Sequence, residues 1–385
     1  MSELKRSARA AAEVSRINAF FPIMPLLGNR LASTRPFDGL TIGVSAHLTT
    51  LTATLVRELA LGGGTWVLSA ATDATTDYSV VDYLRDGGFS VYTSGSRDDY
   101  HAELLSHEPD LIAGVGGTLL ETLVTRFPQQ AERVRGAIEV TKTGVDRVGD
   151  LDVPFPVVNI NDGRLKPAVE NRHGVGEGLW HAVQRLTGMH LSGRRVGVIG
   201  YGPVGRGVAA YARAAGAAVE VIEADPVRRL VAHYDGFPIP TQADCLQRAG
   251  VVVTCTGRSG VLGLSDLAGA RDGLVLINAG HGGNEIDVPG IKRGAVAVDH
   301  VADQVVSYRL EGGPKLIVLA DGHPLNIVMN AGSPEPVLLH FAVLGLTLEW
   351  LTRGGDLPPG LIQVEERIEN LAAELALTAL TSAHG

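Results

Sequence analysis

Arg195-Val-Gly-Val-Ile-Gly200-Tyr-Gly202-Pro-Val-Gly205-Arg-Gly207 is the stretch on which the fold of this chain turns. Residues 195–200 read as a buried strand, the glycines as a tight turn, and 204–215 as an amphipathic helix. In that order the three elements aim backbone amides at a helix N-terminus, where the charge of a pyrophosphate is held. Glu223 lies at the end of the next predicted strand, 218–223. A carboxylate at this position accepts hydrogen bonds from ribose hydroxyls and repels a 2′-phosphate. The reading is a Rossmann βαβ unit for NAD, with Gly200, Gly202, Val204, Gly205 and Glu223 as cofactor residues; Arg228 and Arg229 leave NADP as a minor alternative. A glycine turn with no ligand is the bland reading, and the strand, the helix and the acid together weigh against it.

Outward from this motif the same alternation continues. Strands are expected at 251–254, 274–278, 295–299 and 316–319, after a helix running from near Glu177 through Leu186. Upstream, strands are expected at 39–45, 65–69, 89–92 and 111–114, interleaved with helices at 49–61, 78–86 and 119–126. Strands that alternate with helices build parallel sheets covered on both faces. Beyond Gly332 the pattern turns to long helices at 337–353 and 364–377. The expected fold is α/β: two doubly wound parallel-sheet domains, one of them the NAD-binding Rossmann domain, with C-terminal helices returning to the first. The expected boundaries are 1–175 for a substrate-binding domain completed by 333–385, and 176–332 for the NAD domain.

Composition sets the outer limits. At 385 residues the chain is too long for one small core, and 45% apolar against 19% charged residues suits a soluble globular protein. A net charge of -9 without any basic block argues against a nucleic-acid partner. Cys245 and Cys255 are the only cysteines, too few for a disulfide scaffold or a cysteine-built zinc site, and a reducing cytoplasm is expected. The N-terminal residues carry charges throughout, with no signal-peptide core. The longest apolar stretch, 338–351, contains His340 and Glu349 and reads as a buried helix, so no membrane anchor is expected. There is no HExxH-type spacing, and no catalytic metal is expected.

Chemistry-bearing residues gather in three further places. Asn159-Ile-Asn161-Asp162-Gly-Arg-Leu-Lys166-Pro-Ala-Val-Glu170-Asn171 sets polar groups between the two halves, where ligands of such proteins bind. A lone lysine is more often solvated than functional; the cluster is what raises Lys166. His47 follows the first strand, a position open to ligand binding or to an ordinary loop. His281 lies in Asn278-Ala-Gly280-His281-Gly-Gly-Asn-Glu285-Ile-Asp287, after a strand of the cofactor domain. Thr256, Asn278 and Gly280 of the same domain join the expected cofactor set.

Taken together, GYGPVGRG, the EADP around Glu223, AGHGGNEID, Tyr308-Arg-Leu followed by Ala320-Asp-Gly322 and Asn326, NINDGRLKPAVEN, and Ala46-His47-Leu-Thr49-Thr-Leu-Thr52 resemble S-adenosylhomocysteine hydrolase. The resemblance runs in one order from about residue 20 to 350. It implies a substrate domain, an inserted NAD domain and a hinge between them. It also implies redox-neutral chemistry: oxidation of a nucleoside 3′-hydroxyl, loss of the acidified C4′ proton, β-elimination of the 5′ substituent, addition of water and return of the hydride. On this resemblance Lys166 takes the place of the lysine that helps deprotonate the 3′-hydroxyl, and Glu170 stands where the family has Asp. His47 matches the histidine beside the 5′ carbon. Asn171, Thr141, Thr143, Glu223, His281 and Asn326 match cofactor or nearby substrate positions, His281 being counted with the catalytic set. Thr49 and Thr52 fall in the substrate set. A homodimer or homotetramer is expected.

Several positions depart from the family pattern. The acidic group near C4′ and C5′ falls on Val115, and the ribose-holding acid on Val140. The His-Pro that closes over the nucleoside becomes Ser333-Pro334, and the Lys- and Tyr-bearing tail is missing at Gly385. Two carboxylates replaced by valine leave an apolar wall around the sugar, which disfavours bound water and the hydration half of the cycle. The preferred expectation is therefore a nucleoside dehydratase that releases an unsaturated nucleoside. The alternatives are an S-adenosylhomocysteine hydrolase proper and a non-catalytic nucleoside- or NAD-binding regulator. Retention of Lys166 and His47 weighs against the last.

Overall fold

The computed structural model describes residues 3–280 and 284–382. The chain divides into two compact units, with boundaries at Lys166/Pro167 and Ser333/Pro334. Among the described residues the strands are β1 (Thr41–Ala46), β2 (Thr65–Ala70), β3 (Ser90–Tyr92), β4 (Leu111–Gly114), β5 (Gly136–Glu139), β6 (Pro156–Asn159), β7 (Arg195–Ile199), β8 (Ala218–Ile222), β9 (Val251–Thr254), β10 (Leu274–Asn278), β11 (Ala295–Ala302), β12 (Val305–Leu310), β13 (Lys315–Leu319) and β14 (Gly360–Gln363).

The first unit, residues 1–166 with 334–385, is built on a sheet in the order β14-β6-β5-β4-β1-β2-β3, every pair parallel. Helices Thr50–Leu59, Tyr78–Asp86 and Thr118–Arg126 lie close to their sequence-expected spans. Thr49 starts the first of these by accepting from the Thr52 amide, as a hydroxyl at a helix N-cap does. The apolar stretch around His340 is a buried helix, Pro334–Thr352, which packs against β4 and β5. After it, β14 pairs with β6, so the C-terminal segment completes the first sheet. Helices Glu3–Phe20 and Ile23–Thr34 and strands β5, β6 and β14 are not apparent in the sequence pattern. The three strands have four residues each, too few to show a period.

The second unit, residues 167–333, orders its strands β11-β12-β13-β10-β9-β7-β8. The five from β13 to β8 are parallel; β12 runs antiparallel to both β13 and β11, giving the sheet a hairpin edge that the sequence reading lacked. Val196, Val198, Val251 and Val253 pack on one face of this sheet, and Ile199, Val252 and Leu276 on the other. Burial on both faces explains why these strands read as unbroken apolar runs.

Each sheet reverses its winding at one place. β1 lies between β2 and β4, and β7 lies between β8 and β9. At such a switch point the loops beyond the carboxyl ends of the strands diverge and leave a crevice for ligands. Among the described residues, no helix is long and apolar enough to cross a membrane.

Candidate active site

In the first unit the expected residues collect at the carboxyl edge of the sheet. His47 leaves β1 and Val115 leaves β4, on either side of the switch point. His47 is half-buried; its Nδ1 lies 2.7 Å from Thr75 Oγ1, which is 3.0 Å from Thr72 Oγ1. Thr52 Oγ1 donates to the His47 carbonyl at 2.6 Å, so Thr52 shapes the loop that carries the imidazole. Thr49 acts as the helix cap.

Beyond β5 stands Glu139, a fully buried acid that sequence reasoning passed over. Its Oε1 accepts from the amides of Gly116 (3.1 Å), Val140 (3.0 Å) and Thr141 (2.8 Å) and from Thr141 Oγ1 (2.7 Å); Oε2 accepts from the Gly117 amide at 3.0 Å. Burial pushes this carboxyl up to about 7 against the pull of these donors. Gly144 is required beside it, because a Cβ there would lie 2.1 Å from Glu139 Cδ. Glu139 thus ties the loop after β4, which carries Val115, to the loop after β5, which carries Val140. Thr141 belongs to the same knot: its hydroxyl donates to Glu139 and accepts from the amides of Gly116 (2.8 Å) and Gly144 (3.1 Å). A hydroxyl has one proton and two lone pairs, so this one is saturated within the protein. Thr143 Oγ1 lies 3.4 Å from it. Val140 is buried and Val115 half-buried.

Beyond β6, Asn159 Oδ1 accepts from the amides of Asn161 and Asp162, while Asp162 accepts from both asparagine side chains. This turn leads to Lys166, which is buried at 7% exposure. His340, on the helix Pro334–Thr352, is likewise buried. Burial first, and the nearby Lys166 charge second, hold its imidazole well below the usual histidine range, so it is neutral. A histidine inside an apolar helical run was the only sequence signal for it.

The wide helical turns of Lys166–Val175 begin at the last residue of the first unit and open the second, with Glu170 and Asn171 half-buried, before the helix Gly176–Thr187. The Arg172 carbonyl seats against Gly207 of the helix Pro203–Ala214, where a Cβ would be 2.1 Å away. The glycine turn after β7 is equally tight. Gly200 has φ +97, and a Cβ on Gly205 would lie 1.9 Å from the Gly200 carbonyl oxygen. Gly202 differs: its Cβ would meet only Arg228 Nη1, at 3.7 Å, so the absent side chain leaves open space at the helix N-terminus. Val204 follows in the first turn of this helix. Glu223 accepts from the amides of Tyr201 (2.7 Å), Ala224 (2.7 Å) and Asp225 (2.9 Å), which fixes it beside the turn.

At the ends of β9 and β10, Asn278 Oδ1 accepts from the Gly280 amide at 2.7 Å, and Asn278 Nδ2 donates to the Gly322 carbonyl at 2.9 Å. Glu285, fully buried and absent from the sequence-expected set, accepts from Thr256 through both amide and hydroxyl, and from the Gly257 amide at 2.7 Å. Burial raises its pKa. A Cβ on Gly280 would overlap Glu285 Oε1, which explains that glycine. Asn326 is buried, and its Oδ1 has no hydrogen-bond partner among the described residues. Ser333 Oγ donates to Glu177 at 2.8 Å. His281 lies outside the described residues.

Residues 171–332 match the family model described as S-adenosyl-L-homocysteine hydrolase, NAD binding domain. An S-inosyl-L-homocysteine hydrolase from Methanopyrus kandleri is 33% identical over 372 residues, covering 93% of this chain and 88% of that protein. The chain belongs to the S-adenosyl-L-homocysteine hydrolase family. An adenosylhomocysteinase from Thermotoga maritima is 31% identical, covering 96% of this chain and 94% of that one. Outside the family, a dipicolinate synthase polypeptide from Bacillus halodurans shares the fold: TM-score 0.52 at 16% identity, covering 82% of this chain and 99% of that one.

As in its family, the cofactor of this hydrolase homologue is NAD. The second unit fits it on three counts. The bare Gly202 opens the helix N-terminus to a pyrophosphate, Glu223 is anchored beside the turn, and the orphaned Asn326 oxygen calls for a donor such as a carboxamide.

Proposed function

We propose that this protein is an NAD-dependent, redox-neutral hydrolase of an S-nucleosyl-homocysteine. The observation that carries the reading is the pairing of buried Lys166 with neutral His340 at the sheet edge that also holds His47. The hydrolases to which the chain is similar along nearly its whole length support thioether cleavage over the dehydration that the two valines suggested from sequence alone.

NAD, when bound, supplies a reversible hydride acceptor for the sugar 3′ carbon. Lys166, after its ammonium has given up a proton, takes the 3′-hydroxyl proton on the free Nζ amine. Neutral His340 lets that amine gain and lose a proton without facing a second fixed charge. The resulting ketone acidifies C4′–H. His47, steadied by Thr75 and by the Thr52 bond to its carbonyl, exchanges protons at C4′ and with the group leaving C5′. Glu139 keeps the loops of Val115 and Val140 in register and does not itself meet the sugar. On this reading Glu170 and Asn171 belong to the substrate and cofactor residues. Thr256, Asn278, Gly280 and Asn326 line the nicotinamide side, and Ser333 the nucleoside.

A second reading is favoured by Val115 and Val140 alone. An apolar lining by the 5′ carbon excludes water, and the same elimination would stop at the alkene with hydroxide leaving as water. One experiment separates them. NAD-loaded protein is given S-adenosylhomocysteine or S-inosylhomocysteine with a thiol-trapping reagent, and in parallel free nucleosides with detection of a 4′,5′-alkene. Thiol release at catalytic rates carries the hydrolase reading; alkene without thiol release would replace it with the dehydratase.

A further inference from the structure

We propose that the second unit carries a binding site for a multiply charged phosphate anion at the end of its sheet opposite the dinucleotide turn. A pocket of about 330 Å³ there is lined by Gly193, Arg194, Arg195, Arg248, Gly250 and Arg271. Arg194 and Arg195 stand at the start of β7, Gly250 immediately precedes β9, and Arg271 lies in the loop before β10. These are the amino ends of the strands whose carboxyl ends carry Gly200, Thr256 and Asn278. At about 3.3 Å per residue, the five residues of β7 separate the two ends by roughly 15 Å. The pocket is therefore no part of the NAD site.

The charge balance of this pocket is what calls for a ligand. Glu220 is the one carboxylate that reaches its arginines among the described residues, with Arg248 Nη2 at 3.2 Å and Arg195 Nη1 at 3.7 Å. Arg194 donates through Nε to the His190 carbonyl at 2.6 Å, and neither it nor Arg271 has an acidic partner among the described residues. Four guanidinium groups against one carboxylate leave three positive charges around one small pocket, in a chain whose net charge is -9. The four side chains are exposed and line one pocket, so their like charges disfavour one another there, and an anion seated among them offsets that repulsion. Of the two lining glycines, Gly193 serves a turn with φ +74, while a Cβ on Gly250 would stand 3.5 Å from Arg271 Nη1 and project among the lining groups.

The chemistry selects the ligand. Guanidinium forks bind phosphate oxygens in pairs, and several forks from different loops suit a chain of phosphates better than a single carboxylate. The volume lies at the small end of small-molecule sites, enough for two or three linked phosphates. Such a group is supplied by inorganic polyphosphate or by the tail of a nucleoside di- or triphosphate.

The test is calorimetric titration of NAD-saturated protein at physiological salt with tripolyphosphate, and with ADP and ATP in parallel arms. NAD saturation keeps the phosphates out of the dinucleotide turn. One site per chain is expected. Equal affinity for tripolyphosphate and ATP marks a site that reads the phosphate tail alone, and tighter ATP binding marks a nucleotide site. Arg194→Gln combined with Arg271→Gln breaks no ion pair and should weaken binding at least tenfold while leaving the melting temperature unchanged, or raising it at low salt. Arg271→Glu, as a second variant, should abolish binding. Absence of saturable binding in the wild type, or affinity unchanged in both variants, overturns the proposal.

Discussion

Glu139→Gln separates the two forces that act on the buried carboxyl at the end of β5. Burial lifts this group from an ordinary 4.5 to about 7, while hydrogen bonds from Thr141, Gly116 and Gly117 pull it down and lose. A carboxyl whose folded pKa is raised favours the fold fully below its unfolded value, and that contribution disappears as pH rises through its folded value. The shift corresponds to roughly 3 kcal/mol, most of it lost between pH 5 and 7.5. Glutamine is neutral throughout and loses none of it. Its amide nitrogen, placed at the Oε2 position, would face the Gly117 amide donor now 3.0 Å from that oxygen. That mismatch costs about 1–3 kcal/mol at every pH. The absolute stability of the variant therefore matters less than how its gap to wild type changes. Urea unfolding at pH 5.0 and 7.5 measures this, with Trp66 and Trp350 reporting the first unit in a Trp180→Phe background. The glutamine variant should gain about 2 kcal/mol on the wild type between the two pH values. A gap independent of pH, or one that widens against the variant at pH 7.5, would refute the reasoning and show that the five donors hold an anion.

Gly202→Val should leave the apoprotein melting temperature nearly unchanged, since its Cβ meets only the end of the Arg228 side chain, yet abolish bound NAD as measured by release on acid denaturation. Full cofactor retention would remove the pyrophosphate from this turn. Lys166→Ala should lose both the NADH transient seen on substrate addition and turnover. His47→Asn should keep the transient, followed by NADH absorbance, and lose product by roughly a hundredfold or more, as removal of a proton-transfer group does. An unaltered transient in the lysine variant, or an unaltered product rate in the histidine variant, reassigns that role.

What the sequence determined by itself is local. The glycine turn and Glu223 are legible because a phosphate turn is specified within a few residues, and the turn then anchors the acid through the Tyr201 amide. Strands β7, β9 and β10 are legible because burial on both faces makes them continuous apolar runs. His47 and Lys166 stood out as polar groups at strand ends and in a polar cluster. Tertiary structure alone decided the rest. Glu139 closes a four-residue strand with no period, and its importance comes from the loops after β4 and β5 meeting around it. Glu285 gains its place only when the end of β9 folds over it, and Gly280 is explained by that same carboxylate. His340 sits in an apolar helix far along the chain from Lys166, and only the return of that helix onto β4 and β5 makes the two neighbours. The hairpin edge of β11 and β12 and the arginine pocket likewise depend on sheet order, which joins residues from separate loops at one end of the strands. A pattern read along the chain records which face of an element is buried; which buried groups meet is set by packing between elements that the pattern does not encode.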